Sequence, residues 1–142
     1  VKRYSKLKGY KYLLRDEVVF RTEISGKEYV NQFIALHEDG RLVISPGYAW
    51  DGPSGPTIDT PNFMAGSLAH DALYQLIRKG KLPYNAKEQA DTELYKICIA
   101  CGMSRIRATW VYWGVRMFGK WSAKLGLQER ERVYRLVTPQ EE

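Results

Sequence analysis

Between Thr60 and Pro61 the apolar residues of this chain change their period, and that change divides what the two halves can become. Upstream, "EVVFRTEI", "YVNQFIALHE" and "RLVISPGY" are rich in β-branched and aromatic residues with partial alternation, and the turn-like "SGKE" and "EDGR" separate them. This pattern predicts an antiparallel β-meander of about three strands over residues 10–48. Downstream, Thr60 can cap a helix that opens on Pro61 and places Phe63, Ser67, His70, Tyr74 and Ile77 on one face before Gly80 ends it. Asn85 and Glu88 have the spacing of a capping box for a second helix closing near Gly102, and Ser104 can cap a third that runs to about Lys124. The fold class expected is α+β, the meander packed against three C-terminal helices. A charged tail, residues 126–142, follows as helix, arm or strand.

A chain of 142 residues with 44% hydrophobic content can bury a core as one domain without disulfide staples. Its formal charge of +6 is unevenly spread. Residues 1–46 hold nine basic and six acidic groups, residues 47–102 five and six, and residues 103–142 eight and four. The middle third alone is net acidic, which suits a cation site better than a phosphate cradle. Two cysteines, Cys98 and Cys101, exclude a multi-bridge secreted scaffold, and in apolar "ICIACG" both read as core thiols. No signal-peptide-like run and no stretch of ~18 apolar residues occurs. The expected location is host cytoplasm or virion.

The middle third also holds two misplaced polar groups. Asp91 shares a helical stripe with Leu94, Ile97, Cys98 and Cys101, and His70 interrupts the apolar face of the preceding helix. A buried charge needs a partner. The short connection "RKGKLPYN" can fold the two helices into an antiparallel hairpin that brings His70 to Asp91, where the carboxylate would fix the imidazole tautomer and leave the other ring nitrogen to take a proton from water. Tyr74, one turn beyond His70, can donate to the same carboxylate. Asp71 lies about 100° around the helix and faces the preceding loop, "AWDGPSGP". Loop carbonyls with Asp71 and Asp51 are hard oxygen ligands of the kind Ca²⁺ accepts, and such an ion would polarise an ester carbonyl. Against this stands a plainer reading, in which His70 is a satisfied core histidine and the loop a tight strand-to-helix crossover.

Taken together, "WDGPSGP", "AHDALY", "QAD" and "VRMFG" resemble a family of tailed-phage and prophage proteins known as a domain of unknown function. That resemblance implies a phage origin and partners among other phage proteins. The H-D-x-x-Y helix followed by an A-D helix also resembles the calcium-dependent phospholipases of the A(2) class, in particular the compact forms of parvovirus capsids. It implies His70 as base, Asp91 as the carboxylate orienting it, Tyr74 as the hydroxyl supporting Asp91, and Asp71 as the calcium carboxylate. Trp50, Gly52 and Gly55 fall where calcium-binding carbonyls and an oxyanion amide would be needed. The implied activity is ester hydrolysis by His-activated water. The alternative is a non-enzymatic phage structural, lysis-accessory or anti-defence protein in which the His–Asp pair is a structural lock.

The third helix, "SRIRATWVYWGVRMFGKWSAKLG", interleaves aromatic with basic residues. Its stripe of Trp110, Trp113, Met117 and Trp121 is expected to be core. If exposed instead, it would suit an anionic lipid or membrane surface. Nucleic acid has little else in its favour, since no helix-turn-helix, zinc-finger or RNP-like pattern occurs.

Overall fold

The structure is a computed structural model and describes residues 2–6, 12–50 and 60–125, with side chains as far as Met117. The chain divides into two compact units, one formed by Val1–Asp51 with Leu125–Glu142 and the other by Gly52–Lys124. The fold class is α+β, with antiparallel strands in the N-terminal unit and helices in the other.

The first unit contains two antiparallel sheets. Strands β1 (Tyr4–Lys6), β2 (Tyr12–Leu14) and β7 (Ala49–Trp50) make one, in the order β1-β2-β7. Strands β3 (Val18–Arg21), β4 (Tyr29–Val30), β5 (Ile34–Leu36) and β6 (Arg41–Ile44) make the other, in the order β3-β6-β5-β4. Ile34 lies opposite Ile44 and Leu36 opposite Leu42, and all four are fully buried, so the period-2 pattern of these strands sets the core face.

Two details depart from a three-strand meander. The stretch expected as one strand, "YVNQFIAL", is a hairpin of β4 and β5, because the Asn31 side-chain oxygen accepts the backbone N–H groups of Phe33 and Ile34 at 2.9 and 2.7 Å. An Asx-type bend of this kind substitutes a local side-chain bond for continued extension. The first strand, β3, pairs with β6 instead of its sequence neighbour. "EDGR" does form the β5–β6 turn, and Gly40 is indispensable there: its φ is +95° and an added Cβ would lie 2.2 Å from the Thr22 carbonyl oxygen.

The second unit is three helices, α1 (Pro61–Arg78), α2 (Ala86–Ala100) and α3 (Arg105–Leu125). Both α1 and α2 end in Schellman geometry. Gly80 N–H donates to Ile77 O and Lys81 N–H to Leu76 O; Gly102 N–H donates to Ile99 O and Met103 N–H to Cys98 O. These closures turn the chain sharply enough for consecutive helices to pack on one another. The N-termini are less regular. Ser104 caps α3 by accepting Arg107 N–H at 3.2 Å, whereas neither Thr60 nor Asn85 makes a side-chain cap. The Thr60 hydroxyl instead donates to Asn62 Oδ1 and accepts from Arg107 Nη1 at 2.7 Å, tying the start of α1 to α3.

Phe63, Leu94, Cys98, Met103, Ala108 and Val111 form the core cluster of this unit. Gly66 permits the close approach of α1 and α2: an added Cβ would meet Cys98 Sγ and Leu94 Cδ1, each at 2.8 Å. Of the two cysteines only Cys98 is a core thiol, and burial pushes it up to about 12. Cys101 sits at the helix end and is exposed, since the chain turns away there. The expectation for α3 is also corrected. Ala108 and Val111 are buried and Val115 partly so, while Trp110, Trp113 and Met117, roughly half a turn away, are exposed. Ala108 and Val111 make the inward face, packing with Phe63, Leu94 and Cys98; the side chain of Trp121 lies outside the described residues.

Candidate functional site

His70 sits in the third turn of α1, and Tyr74 follows one turn later on the same face. The α1–α2 hairpin carries Asp91 opposite them. His70 Nε2 lies 2.6 Å from Asp91 Oδ1, and the Tyr74 hydroxyl donates to that same oxygen at 2.6 Å. The His70 and Tyr74 rings are 4.0 Å apart between centroids, which fixes the imidazole plane from one side. The three residues that the sequence places together are therefore together.

Two further groups complete the cluster. Lys87, one turn before Asp91 on α2, donates to Asp91 Oδ2 at 3.1 Å, and Arg116 Nη1 from α3 donates to it at 3.0 Å. Lys87 Nζ also reaches the carbonyl oxygens of Val115 and Arg116, each at 3.4 Å. Asp91 is completely buried and Lys87 nearly so. The two carboxylate oxygens thus divide their partners: Oδ1 takes the imidazole and the phenol, Oδ2 takes the two cations. Sequence reasoning missed Lys87 and Arg116. The i, i+4 spacing of Lys87 and Asp91 is legible in "KEQAD", but nothing in it says that the pair is buried.

Burial by itself would push the Asp91 carboxyl up, but the His70 and Tyr74 hydrogen bonds and the Lys87 charge outweigh it and hold it below the usual carboxylate range. Asp91 is therefore ionised and can only accept. It follows that His70 Nε2 carries the hydrogen, and that in the neutral ring Nδ1 holds the lone pair. Among the described residues no hydrogen bond engages Nδ1. Burial, then the Asp91 charge beside it, pushes the Tyr74 phenol well above its ordinary range, so it remains a donor at any physiological pH.

Of the expected calcium ligands the structure describes Asp71 and Trp50. Asp71 is buried on α1, takes no part in the network around Asp91, and has interactions of its own. Asp51, Gly52 and Gly55 lie outside the described residues. Trp50 belongs to β7, where its ring packs with Tyr4 and Tyr12 at 5.8 and 5.5 Å between centroids. Among the described residues no group of three or more His, Cys, Asp or Glu is placed to hold a metal ion. Asp71 is the one carboxylate of the expected set within the described residues, and no step is derived through calcium. His37 pairs with Glu28 at 3.0 Å in the β unit.

Comparison with protein-family models, with curated proteins and with solved structures finds no match.

Proposed function

We propose that the helical unit carries a general-base site for ester hydrolysis of the phospholipase type, with His70 as the base, Asp91 as the group that orients it and Tyr74 as the hydroxyl that steadies Asp91. One observation carries the reading: Nε2 lies 2.6 Å from Asp91 Oδ1, while Nδ1 has no hydrogen-bond partner among the described residues. A water bound at Nδ1 would lose its proton to the ring as it attacks the ester carbonyl, and the resulting imidazolium would be stabilised by Asp91. When the ester C–O bond breaks, the same proton passes from Nδ1 to the departing alkoxide, which restores the neutral ring. Lys87 and Arg116 set two fixed positive charges against the one carboxylate, a balance that favours an anionic ligand beside the ring. Calcium stays in the proposal with Asp71 as its carboxylate, and no step of the reaction is routed through it.

A second reading rests on the same cluster. Asp91 receives four donors from three helices, which is what a structural lock requires. In that case the chain is a non-enzymatic component, of a phage if the sequence resemblance holds.

The experiment that separates them incubates the protein with anionic and zwitterionic phospholipids, with calcium and with chelator, beside His70→Gln. The glutamine amide can still donate to Asp91 but cannot accept a proton. Fatty acid released by the parent and lost in a folded variant supports the hydrolase, and dependence on calcium supports the cation. No release by the parent under any condition, with the variant merely less stable, leaves the lock.

A further inference from the structure

Helix α3 has two apolar faces, and only one is used inside the unit. Ala108 and Val111 point into the core with Phe63, Leu94 and Cys98. On the opposite side Ile106, Trp110, Trp113 and Met117 recur at four-, three- and four-residue spacing and are 77%, 78%, 58% and 67% exposed. At 1.5 Å per residue this stripe is about 16 Å long. Contiguous exposure of two indoles and two long aliphatic side chains is a binding surface by its chemistry, since isolated exposed apolar residues need no explanation but an aligned row does.

Charge decides the occupant. Residues 105–125 include five basic residues and no acidic one. A second copy seated on this face would set two such helices against each other, and like-charge juxtaposition opposes that pairing. An anionic surface is complementary. Nucleic acid would use the indoles for stacking, yet Ile106 and Met117 occupy half the stripe and cannot stack on bases. Both suit the acyl boundary of a lipid leaflet, where indoles sit with the ring in apolar surroundings and the N–H at the headgroups. Arg107 and Arg116 are turned to Thr60 and to Asp91, while Arg105 is exposed beside the stripe. Among the described residues no helix is long and apolar enough to cross a membrane, so the contact lies along the surface.

We propose that the outer face of α3 docks in the plane of an anionic phospholipid surface, with Ile106, Trp110, Trp113 and Met117 entering the headgroup boundary. The docking does not rest on the hydrolytic reading, because it uses none of the residues around Asp91. It is tested by co-sedimentation of the full chain with vesicles of phosphatidylcholine alone and of equal parts phosphatidylcholine and phosphatidylglycerol, following the bound fraction and the shift of indole emission. His70→Gln serves as a background without turnover, and Trp110→Ser with Trp113→Ser removes the indoles, with circular dichroism verifying that the double variant is folded. Binding to the anionic vesicles at least tenfold tighter than to the zwitterionic ones, weakened by salt and at least tenfold weaker in the double variant, supports the proposal. Equal binding by the double variant, or no binding at low salt, overturns it. So does a concentration-dependent dimer that the double variant abolishes, which would assign the face to a second copy, or tighter binding of a single-stranded oligonucleotide, which would assign it to nucleic acid.

Discussion

Replacing Asp91 by asparagine (Asp91→Asn) changes one atom and strands a buried cation. The oxygen of the introduced amide can take the place of Oδ1 and continue to accept from His70 Nε2 and Tyr74 Oη. The amide nitrogen then replaces Oδ2 and points its hydrogens at Lys87 Nζ and Arg116 Nη1, donors that stood 3.1 and 3.0 Å from an anion. Arg116, whose side chain is 26% exposed, can swing to water, but the Lys87 side chain is 4% exposed and cannot. Breaking a buried pair by removing one partner costs about 3–5 kcal/mol, against about 0.2–1 for an exposed pair, so the buried value applies. Loss of helical circular dichroism in urea would measure it. Lys87→Met should cost less, about 1–2 kcal/mol, because Asp91 keeps three donors. In the double variant the stranded charge is gone, so the two losses should fail to add by at least about 1 kcal/mol. The pH dependence carries the sign. Asp91 has its folded carboxyl below the unfolded value, so its contribution is complete above the unfolded value near pH ~4 and is lost as pH falls through the folded one. The gap between parent and Asp91→Asn should therefore close on the acid side only. A loss under about 1 kcal/mol at neutral pH, or strict additivity in the double variant, would refute the argument.

Tyr74→Phe keeps the ring against His70 but removes the donor to Asp91 Oδ1, and should cost about 1.5–3 kcal/mol in urea unfolding, the range for hydrogen bonds to charged groups. Gly66→Ala sets a helix-propensity gain of about 1 kcal/mol against overpacking of about 1–3 kcal/mol. Because Cys98 and Leu94 are both buried, with the Leu94 carbonyl also 3.3 Å away, overpacking wins and the midpoint of unfolding should fall. Alkylation under native conditions should add one group, at Cys101, with Cys98 reacting only on unfolding, since its thiol is buried and pushed up to about 12. Mass spectrometry of the intact chain distinguishes one adduct from two.

Much of this was legible in the sequence because it depends on neighbours along the chain. Pro61, Gly80, Gly102 and Ser104 act through backbone geometry within a turn or two, and the three helices begin and end close to where those residues place them. His70 and Asp91 were legible for a related reason: each breaks an apolar stripe, and a short connection between two helices leaves few ways to satisfy both. Local chemistry also hid something. Asn31 looks like one more strand residue until its side chain is seen capping two amides and splitting β4 from β5.

What the sequence alone determined, then, is the change from a two-residue to a helical period, the helix ends, and the need of one histidine and one carboxylate for each other. Only the tertiary structure decided which apolar face of α3 turns inward and which remains outside, and that Lys87 and Arg116 share the carboxylate with His70. The reason is physical. Helix periodicity marks where a stripe lies but carries no information on what covers it, and a lysine on a helix reads as solvated until the packing of the neighbouring helices removes its water.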